Sequence, residues 1–219
     1  MDIKALNLDF YGTLVDWLKI WIEVTDKIIT DNNLEVSPIE LALQWRKHQR
    51  KLLDDEEFID YKKNIYLALE KLCKEYNIKN NNYDELLFKK WSEIEPYPEV
   101  ESTLKKLKIK YKLAICTNSS RDLFDIAVKR IPTKFDFVLI SDETKVNKPH
   151  QKMYQIAVNS LGCSPDNILH VASSQMDVKG AINAGLVVCW INRTNEKLNP
   201  ETPKPRFEIQ KLEDILNIV

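Results

Sequence analysis

Ile3-Lys4-Ala5-Leu6-Asn7-Leu8, running straight into Asp9-Phe10-Tyr11-Gly12-Thr13-Leu14, is the stretch that decides how the rest of this 219-residue chain is read. The first six residues predict a short strand. Comparable apolar runs recur at Leu113–Cys116, Phe137–Ile140, Ile168–Val171 and Val187–Ile191, and amphipathic stretches of helical length lie between the later ones, at 119–130, 150–161 and 175–184. Strand and helix alternating in this way predict an α/β fold, a doubly wound parallel sheet covered on both faces. In such a sheet the carboxyl ends of the strands open onto the binding crevice, which is where Asp9 falls.

The segment from Asp16 to Glu95 breaks the alternation. It carries helical periodicity only, with Trp17, Trp21, Val24 and Ile28 marking one face and Leu41, Trp45 and Leu52 another. It predicts an inserted α-helical domain over residues 16–95, between core segments 1–15 and 96–219. At its exit, Glu95-Pro96-Tyr97-Pro98-Glu99 has two prolines that stiffen the chain and stop helix propagation, an expected hinge. Residues 194–205 hold three prolines and no periodicity, which predicts a surface loop before a strand at Phe207–Ile209 and a short closing helix.

The composition narrows the function classes. With 44% hydrophobic and 30% charged residues this is an ordinary globular chain, neither disordered nor fibrous. Lys+Arg 32 against Asp+Glu 33, mixed along the chain, leaves a net charge of -1 and no basic footprint for nucleic acid or anionic lipid. No apolar stretch has transmembrane length and the N-terminus does not read as a signal peptide, so a cytoplasmic protein is expected. Cys73, Cys116, Cys163 and Cys189 are too widely spaced for a zinc set and read as small, reduced hydrophobes. His48, His150 and His170 have no catalytic pattern around them, and His170, inside an apolar strand, reads as a satisfied core histidine.

Four patches deliver polar groups to predicted strand ends. Asp9 is followed by Gly12, which lets the chain turn sharply around whatever the carboxylate touches; the other reading is an Asp that caps a turn. Thr117, Asn118 and Ser119 follow the second strand, either to hold an anion or to cap the next helix. Lys148-Pro149 and, six residues after the lysine, Tyr154 follow the third; the alternative for Lys148 is a solvated surface lysine. Ala172-Ser173-Ser174-Gln175-Met176-Asp177 closes the fourth, where Ser174 and Asp177 also fit a capping box.

In their order and over nearly the whole chain, these patches resemble the four motifs of the haloacid dehalogenase superfamily. The Asp9-Phe10-Tyr11-Gly12-Thr13 form looks like its (S)-2-haloacid dehalogenase branch, and so does Gln44-Trp45-Arg46-Lys47-His48-Gln49, which resembles that branch's first cap helix. Cys189-Trp190-Ile191-Asn192-Arg193 resembles the segment after its fourth motif. A magnesium-dependent phosphatase of the superfamily has acidic residues where this chain has Tyr11 and Ala172, and losing both argues against phosphoryl transfer.

The resemblance implies a Rossmann-like core, a helical cap closing over the site, a homodimer, a small-molecule carboxylate substrate and no cofactor. Asp9 is the implied nucleophile, with Lys148 keeping it ionised. Attack on C2 gives an ester and free halide, and water then cleaves the ester. Asp177 is expected to orient that water and Arg46 to contact the substrate carboxylate or the leaving halide. Tyr11, Thr13, Thr117, Asn118, Tyr154, Ser173 and Ser174 are expected to hold the substrate and the surrounding geometry. Departures from the branch lie at Ala172 and Ser174, where it carries serine and asparagine, and at Arg50, where an apolar pocket residue is expected. Two other readings stand beside this one, a Mg²⁺-dependent phosphatase with a degraded metal site and a non-catalytic relative that binds a carboxylate or phosphate.

Overall fold

The central strands are short apolar runs buried on both faces, as a parallel sheet between two helical layers requires. The computed structural model describes residues 2–53 and 57–219. In chain order the elements are β1 (Ala5–Leu8), β2 (Val15–Asp16), α1 (Leu18–Asn32), α2 (Pro38–Lys51), α3 (Tyr61–Glu75), α4 (Tyr83–Lys89), β3 (Glu95–Pro96), α5 (Val100–Lys108), β4 (Lys112–Thr117), α6 (Arg121–Val128), β5 (Phe137–Ile140), α7 (Ser141–Thr144), α8 (Gln151–Leu161), β6 (Ile168–Ala172), α9 (Gln175–Asn183), β7 (Val187–Ile191) and β8 (Phe207–Ile209). Turns of 3-10 helix lie at Lys90–Glu93, Pro165–Asn167 and Leu212–Asn217.

Six parallel strands form one sheet in the order β5-β4-β1-β6-β7-β8. The chain leaves β1, builds outward through β4 and β5, then crosses back to lay β6 on the other side of β1. That reversal leaves a crevice at the strand carboxyl ends, with Asp9 at its centre. Side chains alternate across the sheet. Leu6 and Leu8 pack with Leu104, Phe124 and Ile215 on one face, while Ala5 packs with Tyr154, Val178 and Ala181 on the other. Asn7 shares the Ala5 face, which turns it toward His170.

The predicted strands appear within a residue or two of their expected bounds, the sheet is parallel, and the proline-rich loop ends in β8 as read. Three features differ. The helix expected over 119–130 is the shorter α6, because Pro132 follows closely and cannot continue it. The closing helix is a 3-10 turn. The expected hinge is in part a strand: Glu95 and Pro96 pair antiparallel with Asp16 and Val15, and Tyr97 N donates to Leu14 O at 3.0 Å.

Helices α1–α4 thus run between the two strands of a short ribbon. Ser37, Pro38 and Glu40 start α2 with a reciprocal capping box. Trp21 and Trp45 meet at 4.7 Å between ring centres, and the Trp45 indole donates to Ile65 O at 3.0 Å, tying α1, α2 and α3 together. Trp17, the residue before α1, packs edge to face on Trp21 with ring centres 5.4 Å apart, as expected, and also borders the crevice.

Where α3 meets α7, two carboxyl groups face each other. Asp60 accepts from Lys62 N and Lys63 N, both at 3.1 Å, and Asp142 accepts from Tyr61 N at 3.0 Å. Burial and the neighbouring Asp60 push Asp142 up to about 7. Burial acts upward on Asp60 too, but hydrogen bonds from Asp142 and the two amides bring it below its ordinary value. A carboxyl whose folded pKa is raised contributes stability below its unfolded value near ~4, and that contribution is lost as pH rises through the folded one. Asp142→Asn mimics the protonated form. It is expected to raise Tm by about 2 °C at pH 8 and to leave it unchanged at pH 5; equal shifts at both pH values in differential scanning fluorimetry would contradict this assignment.

Candidate active site

Asp9 is the first residue past β1, and its amide donates to Val171 O of β6 at 2.9 Å, holding the turn against the neighbouring strand. The turn needs glycine at position 12. Its φ is +86°, and a Cβ there would stand 2.9 Å from Ser173 Oγ and 3.0 Å from Trp17 Nε1. Thr13 folds back, donating to Asp9 Oδ2 at 2.9 Å and accepting from Ser173 N at 3.0 Å. Arg193 braces the same turn, with Nη2 on Thr13 O and Nη1 on Glu99 Oε1, both at 2.8 Å, and its guanidinium 3.6 Å from the centre of the Tyr97 ring.

Lys148 links two carboxylates. Its ammonium is 2.7 Å from Asp9 Oδ1 and 2.5 Å from Asp177 Oδ2. The three side chains are nearly sealed, with Lys148 4%, Asp177 3% and Asp9 8% exposed. Burial acts downward on Lys148, but the charges of Asp177 and Asp9 outweigh it and hold the ammonium above its ordinary pKa. Burial acts upward on Asp177, yet Lys148 and His170 bring it well below the carboxylate range. Below this row, Tyr154 Oη donates to Asp177 Oδ1 at 2.8 Å and His170 Nε2 lies 2.9 Å from the same oxygen. With the Asn7 amide nitrogen donating to His170 Nδ1 at 2.9 Å, Nε2 carries the ring proton and donates to Asp177.

Several expected roles change. Asp177 has both oxygens engaged by protein donors and anchors Lys148. Tyr154 is fully buried under Asp177 and does not reach substrate space. Thr13 has its hydroxyl engaged on both sides. Asn118 clasps the Lys148 backbone, donating to its carbonyl at 2.9 Å and accepting from its amide at 2.8 Å, so its side chain positions the lysine instead of holding a carboxylate. Tyr11 lies inside an aromatic group with Tyr61 and Trp91, its hydroxyl between Ser119 Oγ at 3.3 Å and Trp91 Nε1 at 3.1 Å. Burial pushes that phenol far above its usual pKa. Thr117 is buried at the end of β4, and its Oγ1 has no partner among the described residues.

Arg46, Ser173 and Ser174 do line an open cleft of about 1210 Å³, together with Trp17 and Gly12. Ser174 begins α9 but makes no side-chain cap bond, and Asp177 turns inward to Lys148, so the capping-box alternative is not formed. Arg46 lies with its guanidinium carbon 5.3 Å from the centre of the Trp17 ring and donates to Gln49. Asp9 and Lys148 are nearly sealed and do not themselves line this cleft, whereas Gly12, Pro149 and Ser173 beside them do. His170 and Asn7 carry the network from beneath. His170 is the satisfied core histidine that was expected, but its part in holding Asp177 was not legible, since a histidine and an asparagine 163 positions apart give no local signal.

Gly180 gives a direct test of the network. A Cβ there would stand 2.6 Å from Tyr154 Oη, 2.8 Å from Pro149 Cβ and 3.0 Å from Pro149 O. Gly180→Ala is expected to destabilise the fold by about 1–3 kcal/mol by forcing Tyr154 off Asp177. An unchanged urea midpoint would show that the tyrosine moves aside freely.

Residues 8–191 match the haloacid dehalogenase-like hydrolase family. The chain is 27% identical over 226 residues to an (S)-2-haloacid dehalogenase of Pseudomonas sp. (strain YL), covering 99% of this chain and 94% of that protein. It is 30% identical over 232 residues to pyrophosphatase PpaX of Bacillus cereus (strain AH820), covering 100% and 97%. A dehalogenase crystal structure superposes with a TM-score of 0.84 at 25% identity, over 99% of this chain and 97% of that one. With an aspartate at the centre of the crevice and motifs from four strand ends meeting around it, the chain belongs to the haloacid dehalogenase-like hydrolase family.

Proposed function

We propose that this protein hydrolyses short (S)-2-haloalkanoic acids to 2-hydroxy acids without a metal ion, using Asp9 as nucleophile. The observation that carries the reading is the Lys148 ammonium set between Asp9 and Asp177. A divalent ion needs several oxygen ligands, and here the two carboxylates that would flank one are already bridged by a fixed cation. Tyr11 and Ala172 add no carboxylate, and no group of three metal-binding side chains occurs among the described residues. With a cation held between its two carboxylates, the donor set favours chemistry that needs no metal. It fits displacement at a saturated carbon, which requires an ionised nucleophile and no proton for the leaving group.

In that reaction an Asp9 oxygen attacks C2, the carbon–halogen bond breaks, and its electron pair leaves with the halide. Water then adds to the ester carbonyl at Asp9 Cγ, and collapse of the adduct releases the 2-hydroxy acid and a proton. Lys148, 2.7 Å from Asp9 Oδ1, balances the charge that develops during this second step. Arg46 faces the substrate carboxylate or the departing halide from the helical segment 16–95, which acts as a cap. Ser173 and Ser174 supply hydroxyls from the opposite wall.

Incubation with (S)-2-chloropropionate in the presence of EDTA is expected to release chloride. No chloride at enzyme concentrations sufficient for a single turnover would sink this reading. The similarity to PpaX favours phosphate-ester or pyrophosphate hydrolysis as the second reading. Chelator-sensitive phosphate release without chloride release would establish that one in its place.

A further inference from the structure

Arg46 and Arg50 lie one turn apart on α2 and line the same cleft. Residues spaced in this way are neighbours on a helix face, about 5–6 Å apart at Cβ. Lys179 of α9 lines the cleft as well, and basic side chains outnumber acidic ones around it. Arg50 is exposed along the cleft, and desolvation together with the adjacent Arg46 charge brings its pKa down to about 10. It remains a cation at neutral pH. Glu196, which lines the same cleft, and Asp9 act upward on it. A three-carbon haloacid fills roughly 100 Å³, judged against about 30 Å³ per water, and has a single carboxylate. One arginine suffices for it, and a second in a cleft of about 1210 Å³ is left to meet another anionic group.

We propose that the substrate is a 2-halo dicarboxylate of the 2-halosuccinate class, Arg46 holding the carboxylate beside the halogen-bearing carbon and Arg50 the distal one. The inference rests on the hydrolytic reading above for its chemistry and on the cleft for its selectivity. Bond making and breaking are unchanged. Asp9 displaces halide from C2, and water cleaves the ester to give a 2-hydroxy dicarboxylate, halide and a proton.

The test separates selectivity from turnover. Isothermal titration of the wild type with succinate and with propionate is expected to show succinate bound about tenfold tighter or more, the scale of one charge-assisted contact. That ratio is expected to fall to near one in Arg50→Leu and in Arg50→Gln, and to survive in part in Arg50→Lys. Equal binding of the two acids by the wild type overturns the proposal, as does a preference that persists in both neutral variants. Chloride release from (S)-2-chlorosuccinate and (S)-2-chloropropionate is measured in parallel. Chloride from both at equal kcat/KM overturns the dicarboxylate proposal alone. No chloride from either, with the succinate preference intact, overturns the hydrolytic reading and leaves dicarboxylate recognition supported.

Discussion

Asp9→Asn is expected to lower chloride release from (S)-2-chloropropionate by about 10⁴-fold or more, the scale of losing a nucleophile. A neutral amide is a poor nucleophile toward saturated carbon, and in this variant no other carboxylate takes its place. Asp177, the nearest one bound to Lys148, is tied down by Lys148, Tyr154 and His170. The fold is expected to survive, since Lys148 keeps Asp177 as counter-ion. A single turnover of the wild type in ¹⁸O water adds a second readout, because ester cleavage at Cγ leaves label in the Asp9 carboxylate. A variant that keeps more than about 1% of the wild-type rate, or an unlabelled Asp9 peptide after confirmed turnover, would remove Asp9 from the role.

Lys148→Met is expected to have the largest effect on stability. Two carboxylates, 8% and 3% exposed, would lose the cation between them, and breaking a buried pair by removing one partner costs about 3–5 kcal/mol. The pH dependence should invert. In the wild type, Asp177 has a folded pKa held below its unfolded one, so its contribution is present above about pH 4 and is lost as pH falls through the folded value. Without Lys148, burial dominates at Asp177 and raises its pKa, so stability is lost as pH rises. The difference in urea-derived stability between wild type and variant should therefore narrow from pH 8 to pH 5. A gap that stays constant across this range would mean that Lys148 stabilises by packing rather than by charge.

Much of this arrangement was legible because a parallel sheet with covered faces has one set of open ends. Polar residues that follow an apolar strand run, at once as Asp9 and Ser173 do or after a short turn as Lys148 and Asp177 do, can be delivered there, which is why these four could be named together. Other features left no local trace. The ribbon of Val15–Asp16 with Glu95–Pro96 is two residues long on each side, too short for any periodicity, and forms because the two chain crossings lie side by side. Helix α5 has a regular apolar spacing at Val100, Leu104 and Leu107, but it follows directly on a proline segment read as a hinge.

Residue type and order along the chain determined the alternation of strands and helices, the helical insertion and the identity of the charged groups at the crevice, because strand and helix periods are properties of neighbouring residues. The tertiary structure alone decided which groups line the cleft and which support them. Asn118 and Lys148 are 30 positions apart and Asn7 and His170 are 163 apart, and a hydrogen bond forms only where the fold brings donor and acceptor within about 3 Å. In this way Tyr154, Thr13, Asn118 and Asp177 became the frame around Asp9 and Lys148, and Arg50 took its place beside Arg46 in the cleft.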